Sequence, residues 1–386
     1  MKIRILGAGP AGLYFAALMK RFDPSHDIAI IDRSARDATW GFGVVFSDRA
    51  LEFLRGDDEA LYQYLTPHFE NWPHITIVHN DTAIPIAGNG FASIGRLELL
   101  TLLYDYVERL GVKLQFGTEI TTLGQMGEAD LVVGANGAFS WVRRENEDRF
   151  CTTTDWRPNK FIWYGSTKAF DSLTLTFRET DLGVFCAHHY RYHPDRSTFL
   201  VEVEAATWQR AGFESMNPED TIRHCERVFA QDLDGHRIIS NNSQWRNFPA
   251  IWNERWSFDN VVLLGDALRT VHFSIGSGTR LAMEDSVALF KAFREVGTTD
   301  VPGALALFQQ RRLPPMRKIW DAANASLRWY EDMDRLVRTL APVEFAYSYM
   351  TRTGRVDHAE VRRRDPKLAA AYEALHPKSS PEETRT

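Results

Sequence analysis

The start of the chain alternates apolar runs with turn residues. A short apolar run, residues 3–6, leads into a glycine-rich turn at residues 7–12, and an apolar-rich segment of helical length, residues 13–22, follows. A second apolar run, residues 28–31, ends on Asp32. This order of runs and breaks predicts strand, tight turn, helix and strand, which is the βαβ unit of an α/β protein.

The pattern changes after residue 150, where several strand-like runs follow one another with only turns between them. These runs are residues 161–164, 173–177, 184–192 and 198–203. The polar segment 193–197 separates the last two runs and predicts a hairpin turn. Consecutive strands joined by turns predict an antiparallel sheet, and therefore a second lobe instead of further βαβ units.

Residues 261–264 return to the continuous apolar pattern of a buried parallel strand, so we expect the first lobe to resume there. The remainder is predicted to be helical to about residue 375, with a break at Pro314-Pro315. The predicted fold is α/β, with a doubly wound lobe interleaved with an antiparallel β-sheet lobe and followed by C-terminal helices. The predicted boundaries are 1–70, 93–150 and 258–300 for the doubly wound lobe, 71–92 and 151–257 for the sheet lobe, 301–376 for the helices, and 377–386 for a disordered tail.

Composition and charge narrow the class of protein. The chain has 386 residues and a formal net charge of -6, which argues against a nucleic-acid binder. Its three cysteines lie far apart without metal-ligand spacing, so we expect no disulfide framework, no metal and a reducing compartment. No apolar stretch approaches the ~20 residues of a membrane helix. The chain leads straight into a strand, so we expect no signal peptide and a cytoplasmic location.

The glycine turn carries the spacing of a dinucleotide-binding fingerprint, with an acidic residue at the end of the second strand. Gly7 permits the sharp exit from the strand, and Gly9 lets a pyrophosphate approach the backbone. Gly12 lets the helix pack closely on the sheet. The N–H groups at the start of the helix favour phosphate, and Asp32 can accept hydrogen bonds from ribose hydroxyls.

Two later segments, residues 129–137 and 261–267, complete an ordered triple with the glycine turn. In this order the three segments resemble those of the single-component flavoprotein aromatic monooxygenases, the p-hydroxybenzoate hydroxylase class. The resemblance covers roughly residues 1–325. It implies an FAD-binding, glutathione-reductase-like lobe, in which the first segment holds the ADP part of FAD and Asp266 contacts the ribityl chain.

The same resemblance assigns further residues to the cofactor site. Arg96 resembles the polar residue of the family that reaches the FAD phosphates and ribityl chain. The backbone N–H groups of Thr279 and Arg280, at the start of a helix, would stabilise the negative charge of reduced flavin. The predicted cofactor-binding residues are Gly7, Gly9, Pro10, Ala11, Gly12, Asp32, Arg33, Val44, Arg96, Asn136, Asp266, Gly278, Thr279 and Arg280.

Some positions depart from the usual pattern of this family. Asn136 stands where aspartate is usual, residues 40–48 lack the family's arginine, and residues 272–279 lack its Pro-Pro pair. Together with residues 159–165, these variants resemble a narrower branch. That branch contains salicylyl-CoA 5-hydroxylase, the hydroxylase half of 2-aminobenzoyl-CoA monooxygenase, and the tryptophan-derived hydroxylase of violacein biosynthesis.

The resemblance implies hydroxylation of an electron-rich aromatic ring through a flavin hydroperoxide, with dioxygen and NADH or NADPH as co-substrates. One hypothesis takes a hydroxy- or aminobenzoyl-CoA thioester as the substrate, and another takes an indole or other tryptophan-derived compound. A third hypothesis, from a different class, is a non-catalytic FAD-binding scaffold whose C-terminal helices bind a partner. The sequence does not distinguish NADH from NADPH, or a monomer from a homodimer.

His272 is the candidate catalytic residue, because imidazole titrates near neutrality and this loop follows Asp266. It would hydrogen-bond or deprotonate the phenol or amine of the substrate; the alternative is a histidine that only shapes the loop. His188 and His189 are neighbours on a strand and face opposite sides, so they cannot bind one metal ion. Candidates for pocket walls are Trp163, Phe185, Tyr190 and Tyr192.

Overall fold

The computed structural model describes residues 1–39 and 41–377, and describes only the backbone of residues 48–50. The predicted disordered tail therefore lies outside the described residues, apart from Pro377. The strands are β1 (Lys2–Leu6), β2 (Asp27–Ile31), β3 (Gly43–Ser47), β4 (Glu70–Trp72), β5 (Ile75–His79), β6 (Thr82–Ile86), β7 (Phe91–Gly95), β8 (Lys113–Gln115), β9 (Leu131–Gly134), β10 (Thr152–Ser166), β11 (Leu173–Thr180), β12 (Gly183–His193), β13 (Arg196–Val203), β14 (Ile238–Ile239), β15 (Arg246–Asn253), β16 (Ser257–Phe258) and β17 (Val261–Leu263). The helices are α1 (Pro10–Phe22), α2 (Asp48–Asp57), α3 (Glu59–Leu65), α4 (Arg96–Arg109), α5 (Trp141–Arg144), α6 (Glu147–Phe150), α7 (Ala205–Arg210), α8 (Pro218–Val228), α9 (Ala230–Leu233), α10 (Gly278–Val296), α11 (Val301–Glu331), α12 (Met333–Thr339), α13 (Pro342–Thr351), α14 (His358–Arg364) and α15 (Pro366–Leu375).

A mainly parallel sheet with the order β16-β17-β9-β1-β2-β8 forms the first lobe. All neighbouring pairs are parallel except β16 and β17. Ile3 and Ile5 of the central strand β1 have no exposed surface, as expected where a parallel strand is covered on both faces. The glycine turn follows the carboxyl end of β1, and the other two segments contain β9 and β17 with the turns at their carboxyl ends, so the sheet brings the three turns to one edge.

The second lobe is a larger sheet with the order β14-β10-β13-β12-β11-β5-β6, and β15 also pairs with β10. Its neighbouring strands are antiparallel except β11 and β5, and residues 193–197 contain the predicted turn between β12 and β13. β5 and β6 join this sheet although they precede it in the chain, whereas β3 and β4 both pair with β7 in a separate small sheet. The exact lobe boundaries stay a prediction.

Helix α11 runs without interruption through Pro314 and Pro315, so the predicted break at these residues is wrong. A proline has no N–H group, so each of these two prolines removes one helical hydrogen bond. The carbonyls that lose a partner are those of Gln310 and Arg311. Both of these residues are exposed, so water can bond to the carbonyls that lose their partners. Buried side chains on both sides of the prolines hold the helix together by packing, and they include Phe308 and Met316.

The end of α11, with α12 and α13, covers one face of the larger sheet. Tyr330, Met333 and Phe345 from these helices share a buried cluster with Leu175 and Phe177 of β11. Within the part of the chain that the structure describes, no helix has both the length and the apolar character needed to cross a membrane. In the same residues, no group of three His, Cys, Asp or Glu side chains is placed to hold a metal ion.

Candidate active site

The glycine turn between β1 and α1 has the geometry expected from the sequence. Gly7 has a φ of 101°, and a Cβ atom there would lie 2.4 Å from the carbonyl oxygen of Ala135. A Cβ on Gly12 would lie 2.9 Å from Ile5 Cγ2, which confirms that this glycine lets the helix pack closely on the sheet. A Cβ on Gly9 would meet no described atom within 4 Å, so the space beside this residue is open to a ligand.

Two helices of this lobe begin without a side-chain cap and without an acidic residue in the first turn. They are α1, with Gly9 at its N-cap, and α10, with Ser277 at its N-cap. By contrast, Asp58 caps α3 and Asn217 caps α8 through side-chain oxygen atoms. The first N–H groups of α1 and α10 therefore keep their partial positive charge, which attracts phosphate or another anion.

Asp32, at the end of β2, lies directly beside the glycine turn. One carboxylate oxygen accepts from the backbone N–H of Ala8 at 2.8 Å, and the other accepts from that of Ser34 at 2.8 Å. Each oxygen keeps a second lone pair for a ribose hydroxyl. Nearby, Oδ1 of Asn136 is buried and has no hydrogen-bond partner among the described residues. Arg33, also predicted from the sequence, is exposed.

Asp266 follows β17, and its carboxyl group lies between several arginines. Protein atoms crowd this carboxyl group and raise its pKa above the ordinary value, while the charges of Arg269 and Arg96 act in the opposite direction. Asp266 nevertheless keeps an exposed surface, so a ligand can reach it. The backbone N–H of Arg96, at the start of α4, donates to the carbonyl of Phe42 at 2.7 Å, which joins the Arg96 segment to the one before Val44.

A buried ion pair that sequence reasoning missed holds the Gly265-Asp266 turn. Asp285 of α10 is fully buried and accepts from Arg269 Nη1 at 2.7 Å and from Arg312 Nε at 3.0 Å. Arg269 Nη1 also donates to the carbonyl of Gly265 at 3.0 Å. The sequence does contain a signal, because Asp285 lies four residues from both Leu281 and Leu289, on the apolar stripe of its helix.

Two further buried side chains, also missed, join the three sequence segments to one another. Arg143 donates to the carbonyls of Ala267 at 3.0 Å and Ala138 at 2.5 Å, and so connects the second segment to the third. Ser286 of α10 donates to the carbonyl of Ala11 at 2.7 Å, and so connects α10 to α1. Hydrogen bonds from Arg143 therefore tie the second segment to the third, and the bond from Ser286 ties the first segment to the helix that follows the third.

His272 is 4% exposed and lies in the loop between Asp266 and α10. Its Nδ1 atom lies 2.8 Å from Ser274 Oγ and also accepts from the backbone N–H of Ser274, so the ring caps a short turn. Burial lowers the pKa of His272 to about 4, although Glu202 acts in the opposite direction. The ring is therefore neutral near pH 7. The ring shapes the loop through Nδ1, as the loop-shaping hypothesis predicts. Its Nε2 atom stays available for the substrate, as the catalytic hypothesis requires.

Aromatic rings surround His272 on several sides. Phe273 lies 4.1 Å from it and Phe248 lies 4.9 Å from it, measured between ring centroids. Phe161 and Trp163 of β10 extend the group, at 4.9 Å and 6.0 Å from the Phe273 ring. Such rings favour a flat apolar substrate and exclude water. Trp163, one of the predicted wall residues, belongs to this group.

The other three residues predicted as pocket walls lie outside the aromatic group around His272. Phe185 is fully buried in the core on the opposite face of the larger sheet, so its prediction is wrong. Because side chains alternate along a strand, Phe185 cannot share a face with Tyr190 of the same strand. Tyr190 donates to the carbonyl of Gly43 at 2.9 Å, and Tyr192 packs on Phe42. These two tyrosines hold the segment that contains buried Val44 against the sheet lobe.

The lowered pKa of His272 predicts a specific acid sensitivity. Between pH 6.5 and about 4 the unfolded chain binds a proton at this residue that the folded chain does not. The free energy of unfolding should therefore fall as the pH falls, by up to ~1.4 kcal/mol per pH unit from this one group. Urea unfolding of His272→Asn should show a flatter dependence over this range than the wild type. The exposed His193→Asn is the control, and equal slopes for all three proteins would contradict the prediction.

The comparisons with known proteins point to one family of enzymes. Residues 125–323 match the family model described as an FAD binding domain. Salicyloyl-CoA 5-hydroxylase of Streptomyces sp is 39% identical over 92% of this chain and 70% of its own length. The 3-hydroxy-4-methyl-anthranilyl-[aryl-carrier protein] 5-monooxygenase of Streptosporangium sibiricum is 34% identical over 88% and 93%. Protodeoxyviolaceinate monooxygenase of Chromobacterium violaceum is 33% identical over 91% and 94%.

Among solved structures, the tetrameric form of 2-methyl-3-hydroxypyridine-5-carboxylic acid oxygenase has a TM-score of 0.70 at 16% identity. The match covers 94% of this chain and 97% of the chain of that oxygenase. The two proteins therefore have the same fold, which confirms the predicted α/β architecture. The chain belongs to the FAD-dependent aromatic monooxygenases, as the resemblance predicted. It is an enzyme that uses FAD, and a reduced nicotinamide dinucleotide is the typical electron donor of its class. The scaffold hypothesis is not supported.

Proposed function

We propose that this enzyme hydroxylates an aromatic acid carried as a thioester, with a hydroxy- or aminobenzoyl-CoA as the substrate. The observation that carries the proposal is the 39% identity to salicyloyl-CoA 5-hydroxylase over 92% of this chain. A second relative, at 34% identity, is named for an anthranilyl group on a carrier protein. The rings around His272 suit the flat aromatic part of such a substrate, since they offer apolar faces and exclude water.

The described residues fit FAD at the edge of the first sheet. Gly9 leaves the open space that a pyrophosphate needs, and the uncapped helices α1 and α10 each direct N–H groups outward. We propose that Asp32 binds the ribose, that Arg96 reaches the phosphates and ribityl chain, and that Asp266 binds the ribityl chain. Bound FAD supplies electron transfer to dioxygen and the transfer of one oxygen atom to the ring. The proposed cofactor residues are Gly7, Gly9, Pro10, Ala11, Gly12, Asp32, Arg33, Val44, Arg96, Asn136, Asp266, Gly278, Thr279 and Arg280.

The contacts of Arg280 refine one of these proposed roles. Its guanidinium Nε donates to Glu284 at 2.7 Å within α10, so the side chain is already engaged. We therefore propose that Arg280 faces the flavin through its backbone N–H and not through its side chain. The backbone N–H groups of Gly278 and Thr279 are proposed to do the same. These groups act through their partial positive charge at the helix start, which needs no side chain.

The thioester part of the proposal is tested by comparing a CoA thioester with its free acid. The FAD-loaded enzyme is mixed with NADH or NADPH and either 2-hydroxybenzoyl-CoA or 2-hydroxybenzoate, and both nicotinamide oxidation and hydroxylated product are measured. We expect the thioester to raise oxidation at least about tenfold, with product matching the nicotinamide consumed, because an enzyme that uses the CoA part for binding lowers its barrier only when that part is present. Equal stimulation by the free acid would overturn the proposal.

A tryptophan-derived substrate is the second candidate function, because protodeoxyviolaceinate monooxygenase is 33% identical over 91% of this chain. The same assay with protodeoxyviolaceinate and with indole separates the two candidates. Product formed from either of these compounds, but not from the thioester, would establish the second candidate. The cytoplasmic location stays a prediction.

A further inference from the structure

On the sheet face beside His272, a buried carboxylate forms a hydrogen-bonded pair with a second histidine. Glu202 of β13 is 1% exposed, and its Oε2 atom lies 3.3 Å from Nε2 of His188 on β12. Its Oε1 atom accepts from the side chain of Asn159 at 3.0 Å. Burial would raise the pKa of Glu202, but the hydrogen bonds from His188 and Asn159 lower it below its ordinary value. The carboxylate is therefore ionised and can only accept hydrogen bonds.

This pair determines which nitrogen of His188 carries the proton. Because the Glu202 carboxylate accepts, Nε2 of His188 must donate. A neutral His188 then has its lone pair on Nδ1. Among the described residues nothing bonds to Nδ1, so the neutral form of His188 offers a hydrogen-bond acceptor there. This arrangement, in which a carboxylate orients an imidazole, is also the one that makes an imidazole an effective base.

A separate chain of hydrogen bonds gives His272 the opposite polarity. Arg352 can only donate, and its Nε donates to Ser326 Oγ at 2.9 Å. Ser326 Oγ lies 2.8 Å from Ser274 Oγ, which lies 2.8 Å from Nδ1 of His272. Each hydroxyl has one proton, so the chain is fully satisfied when every group donates toward His272. Nδ1 then accepts, and Nε2 of His272 carries the proton and is a donor without a partner among the described residues.

The two imidazoles belong to one site. Both rings pack on Phe273, with centroid distances of 5.4 Å for His188 and 4.1 Å for His272. Both also contact Tyr330, at 5.0 Å and 6.1 Å. The ring that offers the acceptor and the ring that offers the donor therefore contact the same two aromatic side chains. An aromatic acid derivative with a hydroxyl or amino group ortho to its carbonyl has the complementary pair.

We propose that His188 and His272 together select an ortho-hydroxy- or ortho-aminobenzoyl thioester. Nδ1 of His188 accepts the O–H or N–H of the ring substituent, and Nε2–H of His272 donates to the thioester carbonyl. For the hydroxyl substrate, the O–H bond breaks, its proton forms an N–H bond at Nδ1 of His188, and Glu202 stabilises the resulting imidazolium. The electron pair left on the oxygen makes the ring more reactive toward an electrophilic oxygen. This inference rests on the proposed thioester substrate.

Two conservative variants separate the two histidines. Glutamine places an amide near the Nε2 position of histidine, so His188→Gln keeps the bond to Glu202 and loses the Nδ1 acceptor. Asparagine reaches only the Nδ1 position, so His272→Asn keeps the acceptor for Ser274 and loses the Nε2 donor. His189→Gln is the matched control, because His189 lies on the opposite face and uses Nε2 to contact Thr176 at 3.0 Å. FAD content and the thermal midpoint verify that each variant is folded.

Binding to the FAD-loaded enzyme is measured by calorimetry, without NAD(P)H, for 2-hydroxybenzoyl-CoA, 4-hydroxybenzoyl-CoA and benzoyl-CoA. We expect the wild type and His189→Gln to bind the 2-hydroxy compound about tenfold more tightly than the other two. His188→Gln should lose this preference, with the Kd of benzoyl-CoA unchanged. His272→Asn should weaken all three thioesters by a similar factor, because all three have the carbonyl. The absorbance band of the phenolate should appear when wild type binds the 2-hydroxy compound, and not with His188→Gln.

The outcomes distinguish this inference from the proposed function. If the wild type binds none of the three thioesters, the proposed function fails and the inference fails with it. If the wild type binds all three equally, the thioester proposal stands and the ortho selection is wrong. A preference retained by His188→Gln, or lost equally by His189→Gln, would likewise overturn the role of His188. If a variant does not fold, the affinities of the wild type for the three thioesters still decide whether the enzyme selects the ortho substituent.

Discussion

Replacing Gly9 with valine is expected to weaken FAD binding strongly while leaving the fold intact. A Cβ on Gly9 meets no described atom of the protein within 4 Å, and the residue has a φ of -87°, which any amino acid can adopt. The protein therefore accommodates the larger side chain. The pyrophosphate does not, because the valine would occupy the space through which it reaches the N–H groups of α1. We expect the affinity for FAD to fall by more than about tenfold, or ~1.4 kcal/mol.

Gly12→Val is the matched control, because its effect should fall on the fold as well. A Cβ at Gly12 would lie 2.5 Å from the carbonyl oxygen of Gly7, so α1 must move away from the sheet. Such overpacking typically costs about 1–3 kcal/mol of folding free energy. Flavin absorbance per polypeptide and the unfolding midpoint of the FAD-free protein are measured for both variants. A Gly9→Val protein that purifies with a full complement of FAD would show that the cofactor binds elsewhere.

Replacing Asp285 with alanine should cause the largest loss of stability, about 3–5 kcal/mol, the range for breaking a buried pair by removing one partner. Asp285 is fully buried, and the Arg269 side chain paired with it is 2% exposed. Arg312 is 10% exposed and keeps Glu284 as an acidic partner after the change. The variant therefore leaves a buried guanidinium without its carboxylate. It also removes the group that fixes the turn at Gly265, so weaker FAD binding should accompany the loss.

An exposed pair between the same two helices provides the control. Glu295 and Arg311 join α10 to α11 at 2.6 Å, but their side chains are 54% and 55% exposed. Solvent screens such a pair, so Glu295→Ala should leave the urea unfolding curve unchanged within error. Comparing the two variants isolates the effect of burial from that of linking the helices. Equal midpoint shifts in Asp285→Ala and Glu295→Ala would show that burial does not govern the contribution of this pair.

Two structural features differ from their sequence-based predictions for identifiable physical reasons. The break expected at Pro314 is absent because packing on both sides of the prolines outweighs two lost hydrogen bonds at exposed positions. Phe185 was expected in the pocket for its residue type alone, although alternation along β12 places it on the opposite face from Tyr190 and His188. In both cases a local preference was considered without the neighbours that decide its outcome.

The sequence by itself determined the α/β class, the three backbone segments at the edge of the first sheet, and the family. These features depend on short-range chemistry, such as glycine conformations, the period of apolar residues and the order of motifs, and all of these are visible along the chain. The polarity of His188 and His272 was decided only by the tertiary structure. It depends on Glu202, Ser326 and Arg352, and the hydrogen bond from Arg352 to the carbonyl of Ser274 spans 78 positions. A proton is placed on one nitrogen or the other by whichever group lies opposite in space, and no local pattern of residues encodes that group.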